Sequence, residues 1–121
     1  MALARCRPTT EVAFNSIVRG LFAEGAMPAG AIVDAGAHDG TWSCMYAVAA
    51  PSRIVHAIEP LEGNVAKILA MTLAHSSKLQ NLRPVVGALG NRSRWLDAGR
   101  QMRVGQVQDI LRLVETGNAS L

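Results

Sequence analysis

The fold of this chain is decided by residues 31–41, which read AIVDAGAHDGT. The first five are apolar apart from Asp34 and partly β-branched, which is typical of a buried parallel strand. Residues 36–40 begin and end with glycine and predict a turn, and Thr41 begins a predicted helix. In open α/β sheets, ligands bind outside the carboxyl ends of the strands. The stretch therefore predicts a strand–turn–helix unit with a ligand site above the turn.

Helices and strands alternate on both sides of this unit. A helix is predicted over residues 11–24, with Gly25 at its end. Its apolar face is expected at Val12, Ile17, Leu21 and Phe22. The helix that starts at Thr41 is expected to reach Ala50. A strand over residues 53–59 follows, closed by Pro60, which cannot extend a ladder of hydrogen bonds.

The second crossover has the same form. A third helix is predicted over residues 61–76, and a third strand over residues 82–89 with Pro84 near its start. Helical connections of this length imply parallel strands joined by right-handed crossovers. We therefore predict an α/β fold, with a Rossmann-like parallel sheet of about three or four strands flanked by helices.

Residues after Arg92 carry a weaker pattern. Five apolar residues fit a helix ended by Gly117: Val104, Val107, Ile110, Leu111 and Val114. The first three fit equally well a strand that enters a short helix capped by Asp109. Both interpretations stand for this segment.

The composition is that of one globular domain, with 121 residues, half of them apolar and 17% charged. We place the domain at residues 11–121, behind a disordered N-terminus at residues 1–10. The formal charge of +3 comes mainly from arginines scattered along the chain. Scattered arginines favour a solvated basic face over a nucleic-acid surface, which shows a basic stripe.

The sequence shows no pattern of a membrane span, a secretory signal or a metal site, while an organelle transit peptide stays open because the first acidic residue is Glu11. No apolar run reaches the roughly 18 residues that span a bilayer, and the N-terminus lacks the apolar core of a secretory signal. The sequence therefore predicts a cytoplasmic protein with no membrane or nucleic-acid partner. Cys6 and Cys44 do not have the spacing of metal ligands, so we predict no metal and two free thiols in a reducing compartment.

Two classes of cofactor use a glycine turn after the first strand. Dinucleotide enzymes require Gly-x-Gly-x-x-Gly, in which the second glycine clears space for a diphosphate. Here His38 stands between Gly36 and Gly40, where a side chain obstructs a diphosphate. S-adenosylmethionine has no phosphate, and Asp34 at the strand end is placed to hold its amino group. The turn favours this methyl donor over NAD, with a ligand-free tight turn as the remaining alternative.

A second acidic residue lies at the carboxyl end of the second predicted strand. A carboxylate at the position of Glu59 can accept hydrogen bonds from both hydroxyls of an adenosyl ribose. A strand-end glutamate taken alone is usually a solvated loop residue. Together with the glycine turn of the preceding strand, Glu59 indicates an adenosyl-binding site.

Three segments, in order and at the right spacing, resemble FkbM-type methyltransferases. Residues 32–40 resemble the first motif of that family, residues 55–60 its second block, and residues 85–90 its third strand with a small-residue end. Asn64 matches a family position in the helix after the second block. Ile58 stands where an aromatic residue is more common.

The resemblance implies a partial class I methyltransferase fold that binds S-adenosyl-L-methionine and transfers its methyl group, usually to a hydroxyl of a small molecule or sugar. It also implies a set of cofactor-binding residues: Asp34, Gly36, Ala37, His38, Gly40, Thr41, Glu59, Pro60, Gly87 and Ala88. By position, Glu59 would hold the ribose, and Gly87 and Ala88 would lie near the adenine. No catalytic residue is assigned, because we interpret His38 as a loop residue beside the cofactor rather than as a base.

Family members continue into a fourth strand with a Lys-x-Asp-x-Glu-Gly type motif, which this sequence lacks. Two alternatives to an active methyltransferase therefore stay open. One is a non-catalytic S-adenosylmethionine-binding remnant or partner subunit, and the other is an NAD-type nucleotide-binding module. Since the first strand is central in the family, we expect residues 31–35 to form an exposed apolar edge here, which favours self-association.

Overall fold

A computed structural model describes Cys6, residues 12–89 and two further strands at residues 94–97 and 101–105. Within these ranges the helices are α1 (Val12–Ala23), α2 (Thr41–Ala49), α3 (Glu62–Ala74) and α4 (Ser76–Leu79). The strands are β1 (Ile32–Ala35), β2 (Val55–Glu59), β3 (Leu82–Val86), β4 (Ala88–Leu89), β5 (Arg94–Asp97) and β6 (Gln101–Gly105). The predicted alternation of helices and strands is confirmed as far as β3. The predicted disordered terminus lies outside the described residues, apart from Cys6.

The first three strands form a parallel sheet in the order β1-β2-β3. In this sheet Val55 of β2 pairs with Ile32 of β1 on one side of the strand and with Leu82 of β3 on the other side. Because the strands are adjacent in sequence order, right-handed crossovers place α2 and α3 on the same face. The predicted Rossmann-like parallel sheet is confirmed, with three strands in the described chain.

The main core lies between this face of the sheet and the helices. It is built from small and medium-sized side chains, as the high alanine content suggests: Ala37, Cys44, Ala47, Val55, Ala57, Ile68, Met71, Leu79 and Leu82. Successive side chains of a strand alternate between the two faces of the sheet. Ile58 and Val85 therefore form a separate cluster on the opposite face, with Val33 packed against it.

His56 projects to that opposite face and is completely buried. Neither ring nitrogen has a hydrogen-bond partner in the part of the chain that the structure describes. Burial lowers the pKa of His56, and the nearby charge of Arg83 lowers it further. The imidazole is therefore neutral at physiological pH, in keeping with the structural role expected of a histidine that alternates with apolar residues on a strand.

The predicted third strand is interrupted at Gly87. The two residues that follow form β4, which pairs with β6 in a second sheet of order β4-β6-β5. The sequence interpretation missed this sheet, and Val104, for which it left helix and strand open, lies in β6. Pro84 lies in the middle of β3, where it is tolerated because its position faces away from β2 at the edge of the described sheet.

The end of α1 follows the prediction made from Gly25. Gly25 has a φ of 68°, its N–H donates to the Phe22 carbonyl at 3.2 Å, and the Ala26 N–H donates to the Leu21 carbonyl at 2.9 Å. This pair of hydrogen bonds is a Schellman motif, which glycine stabilises because it adopts positive φ without strain.

The predicted apolar face of α1 is wrong at three of its four residues, and only Phe22 is partly buried. Asn15 and Val18 are the buried residues of this helix, whereas Val12, Ile17 and Leu21 are exposed. Aromatic contacts between α1 and α2 determine the rotation of the helix: the ring centroids of Phe14 and Trp42 lie 5.8 Å apart, and those of Phe22 and Tyr46 lie 6.2 Å apart. These contacts cannot be inferred from the periodicity of α1 alone.

The two cysteines are paired, which corrects the prediction of free thiols. Cys6 is joined to Cys44 of α2 with their Cα atoms 5.0 Å apart, a separation typical of disulfides. We expect the unreduced chain to be lighter than the reduced chain by the mass of two hydrogen atoms and to resist alkylation until it is reduced. If mass spectrometry showed that both cysteines of the unreduced chain are rapidly alkylated, the pairing would be contradicted.

None of the described helices is both long and apolar enough to cross a membrane.

Candidate functional site

The turn after β1 contains two backbone conformations that favour glycine. Gly36 and Gly40 have φ values of 76° and 85°, a region that side chains rarely tolerate. At Gly40 an added Cβ would lie 2.8 Å from Cγ1 of Ile68, whereas at Gly36 it would meet no atom within 4 Å. Gly40 therefore allows α3 to pack against the turn, and the space beside Gly36 is open to a ligand.

His38 lies between these glycines and has a positive φ of 53°, which is uncommon for a residue other than glycine. Its side chain is 79% exposed, with Nδ1 3.8 Å from Oδ1 of Asp39. Its backbone N–H turns inward and donates to Oε1 of Glu59 at 3.1 Å. This hydrogen bond joins the turn after β1 to the end of β2.

Glu59 is buried at the carboxyl end of β2, with 5% of its surface exposed. Its second carboxylate oxygen, Oε2, accepts the Leu61 N–H at 2.9 Å and Nδ2 of Asn64 at 3.2 Å. A carboxylate offers about four acceptor positions, so the three donors around Glu59 leave one. The side chain faces the turn and also holds the turn against the start of α3, a second role that the sequence did not reveal.

Asp34 lies one residue before the end of β1. Its Oδ2 accepts a hydrogen bond from the Ser43 hydroxyl at 2.5 Å, and Ser43 is completely buried on α2. Burial raises the pKa of Asp34, and the hydrogen bond from Ser43 opposes that effect. A cation bound beside this carboxylate would favour its ionised form. Sequence reasoning missed Ser43, because its place depends on how α2 packs on β1.

Asp39, which precedes the N-cap residue Gly40, caps the start of α2 with its side chain. Its Oδ1 accepts the Thr41 N–H at 3.1 Å and the Thr41 hydroxyl at 2.8 Å. Hydrogen bonding from the Thr41 hydroxyl is the main reason why the pKa of Asp39 is lowered. Both donors of Thr41 are thus used within the protein, so any contact of Thr41 with a cofactor would compete with this cap.

The backbone N–H groups of the turn are also used within the protein. Gly36 and Ala37 both donate to the Ile58 carbonyl, at 2.8 and 3.0 Å, and Gly40 donates to the Ala37 carbonyl at 2.9 Å. The N–H groups of His38 and Thr41 bond to carboxylates, as described above. A phosphate-binding turn presents its N–H groups to the ligand. This turn offers few of them, which disfavours a diphosphate more directly than the exposed ring of His38 does.

The end of β3 completes the site. The Gly87 N–H donates to the Glu59 carbonyl at 3.0 Å, and Gly87 is buried while Ala88 and Pro60 are half-buried. The ten residues predicted from the sequence therefore lie at the carboxyl ends of β1, β2 and β3 or in the segments that follow them. Their binding of a cofactor stays a prediction.

This arrangement of strands is similar to that of a solved structure, the methyltransferase FkbM from Methylobacillus flagellatus KT, with a TM-score of 0.58. The chain shares the fold of part of a methyltransferase. The two sequences are 17% identical, and the match covers 74% of this chain but 25% of the other, so it spans a quarter of that protein. No protein-family model matches the chain, and no curated protein sequence matches it.

Proposed function

We propose that this chain is the S-adenosyl-L-methionine-binding part of an FkbM-type methyltransferase. The observation that carries the proposal is the hydrogen bond from the His38 N–H to Oε1 of Glu59 at 3.1 Å. It makes the turn after β1 and the acidic residue at the end of β2 parts of one site. The fold shared with a methyltransferase and the resemblance of residues 32–40 to the first FkbM motif support the same class of function.

The residues of the site fit the parts of this cofactor. The open space beside Gly36 would admit the methionine end close to the backbone, and Asp34 would lie opposite its ammonium group. The remaining acceptor position of Glu59 would take one ribose hydroxyl. Gly87 and Ala88 have little or no side chain and would leave room for the adenine.

The charges of the site favour the same cofactor over NAD. Asp34, Asp39 and Glu59 are three acidic side chains around one turn, and a bound sulfonium and ammonium would be attracted to them. A dinucleotide would bring two negative phosphates to the same place, where few backbone N–H groups are available to neutralise them. The charges therefore favour S-adenosylmethionine over NAD as the ligand of this site.

The cofactor, when bound, supplies an electrophilic methyl group on its sulfonium. The residues described here would bind it and fix its orientation, which is most of what methyl transfer requires once an acceptor is placed in line. We propose a hydroxyl oxygen of a small molecule or sugar as the acceptor. His38 is given no catalytic role, because its ring lies in solvent beside Asp39.

Replacing Asp34 by asparagine should separate ligand binding from stability. Because the folded pKa is raised above 3.8, the ionised carboxylate lowers stability at neutral pH, and this penalty disappears as the pH falls below the unfolded value. We expect the melting temperature of the variant at pH 7 to equal or exceed that of the parent, and any gain to shrink towards about pH 4. Affinity for S-adenosylmethionine should fall about tenfold. A clearly lower melting temperature at pH 7 would contradict this account of Asp34.

Turnover is tested by following release of S-adenosylhomocysteine with glycerol and monosaccharides as hydroxyl acceptors. We expect S-adenosylhomocysteine to be released only when an acceptor is present, and more slowly in the Asp34→Asn variant. Saturable binding of the cofactor without any release would favour the non-catalytic binding protein instead. No binding at all by a folded chain would count against both.

We also propose that the protein is located in the cytoplasm. The Cys6–Cys44 pair is the feature that argues against it, because structural disulfides are rare in the cytosol. Alkylation of free thiols in acid-quenched cells tests the point directly. If the chain is cytoplasmic, both cysteines are expected to be alkylated in the cell and to pair only after purification in air, whereas a pair already intact in the cell would indicate an oxidising compartment.

A further inference from the structure

Asp34 is a half-buried carboxylate with no cationic partner among the described residues. The helix that packs beside its strand, α2, carries no charged side chain. Burial of an unpaired carboxylate favours its neutral form, and a neutral carboxyl group attracts an ammonium group only weakly. Asp34 can therefore act as the counter-charge of a ligand only if another group stabilises its ionised form.

Ser43 supplies a hydrogen bond that favours the ionised form. It is the third residue of α2, its side chain is completely buried, and its hydroxyl donates to Oδ2 of Asp34 at 2.5 Å. This distance is at the short end of the range for a hydroxyl that donates to a carboxylate. A serine within a helix can instead donate to the carbonyl of the preceding turn. Here the hydroxyl reaches across to β1, so its proton serves Asp34 and not the helix.

The same hydrogen bond determines which carboxylate oxygen is available to a ligand. Oδ2 of Asp34 is occupied by Ser43, whereas Oδ1 accepts no hydrogen bond from the described residues. Because the carboxylate is held through one oxygen, the orientation of the other is restricted. Gly36, beside which the space is open, follows two residues later in the chain. Ser43 thus leaves one oriented oxygen of Asp34 for a ligand at this turn.

We propose that Ser43 is a positioning residue that makes Asp34 selective for an ammonium group, so that the site prefers adenosyl compounds with an amino-acid end over those without one. Ser43 acts through Asp34 and is itself too deeply buried to touch the ligand. The inference rests on the proposed function. It adds the residue on which recognition of the amino-acid end depends, and it predicts which adenosyl compounds the site rejects.

Calorimetry with S-adenosylhomocysteine and 5′-methylthioadenosine tests the selectivity. The two compounds share the adenosine and the thioether, and only the first has an amino-acid end. Ser43→Ala should weaken binding of S-adenosylhomocysteine about fivefold and leave binding of methylthioadenosine unchanged. In the Asp34→Asn background the same substitution should have no further effect on either compound. Thr72→Val is the matched control, because it removes a hydroxyl that donates within α3, to the Ile68 carbonyl at 2.8 Å.

Titration of the Asp34 carboxyl carbon by NMR tests the interaction without any ligand. Burial raises the pKa of Asp34 above 3.8, and the Ser43 hydrogen bond opposes this effect. The pKa of Asp34 should therefore be higher still in Ser43→Ala and unchanged in Thr72→Val. Three other ionisable side chains face the turn, those of His38, Asp39 and Glu59, and all three are the same in the parent and in both variants.

Two results would overturn this inference alone. The first is an equal loss of affinity for both compounds in a folded Ser43→Ala variant, because a residue that only supports packing would not distinguish them. The second is unchanged affinity for S-adenosylhomocysteine together with an unchanged pKa of Asp34. If the folded parent bound neither compound, the proposed function would fail and this inference with it. Circular dichroism of the variants verifies that they remain folded.

Discussion

Replacement of Glu59 by alanine is expected to lower the free energy of unfolding by about 3 kcal/mol, in addition to abolishing cofactor binding. The carboxylate is buried and accepts hydrogen bonds from His38, Leu61 and Asn64. Its removal leaves the backbone N–H groups of His38 and Leu61 without their acceptor at a partly buried position. Urea unfolding of the ligand-free chain measures this loss without any contribution from the cofactor.

Asn64→Ala is the matched control for this effect. It removes one of the three donors to Glu59 and no backbone hydrogen bond, so we expect a loss of about 1 kcal/mol. If Glu59 served a ribose alone, its replacement would weaken binding and leave urea unfolding unchanged. That outcome would contradict the role of Glu59 in joining the turn to α3.

Gly40→Ala should cost about 3 kcal/mol, since it combines a left-handed backbone with overpacking. The new Cβ would lie 2.8 Å from Cγ1 of Ile68 and 3.2 Å from Cε of Met71. Gly36→Ala should cost about 1 kcal/mol, because its φ is also positive but no atom lies within 4 Å of the new Cβ. For cofactor affinity we expect the opposite order: the folded Gly36→Ala variant should lose more affinity than the folded Gly40→Ala variant.

A double-mutant cycle distinguishes packing from backbone strain at Gly40. Ile68→Ala removes the atom nearest to the added Cβ, so in the Gly40→Ala background it should cost less than it does alone. Strictly additive costs would mean that Ile68 is not the residue that requires glycine here. Thermal and urea unfolding of the four chains provide the comparison.

Local features of the sequence were sufficient to predict the strand–turn–helix unit. The β-branched run before Gly36, the spacing of the two glycines and the glycine that ends α1 each act within a few residues, so their consequences follow from sequence order. The acidic residue at the end of β2 was placed for the same reason. Parallel strands end at one edge of the sheet, and residues that follow them are brought together there.

Contacts between distant segments were not predictable in this way. The pairing of Cys6 with Cys44, the hydrogen bond from Ser43 to Asp34, and the hydrogen bond from the His38 N–H to Glu59 depend on how helices and turns pack on the sheet. The exposed face of α1 has the same origin, since its periodicity located an apolar stripe but not the side of the helix that α2 would cover. The second sheet was missed because Gly87 ends β3 before the apolar run does.

Calorimetric titration of the folded chain with S-adenosylmethionine, S-adenosylhomocysteine and NAD tests the central claim most directly. The account predicts saturable binding of the first two at one site, a marked weakening of both in the Asp34→Asn variant, and no heat of binding with NAD. Binding of NAD in place of the two adenosyl compounds would show that the turn between β1 and α2 accepts a diphosphate, and the account would be wrong.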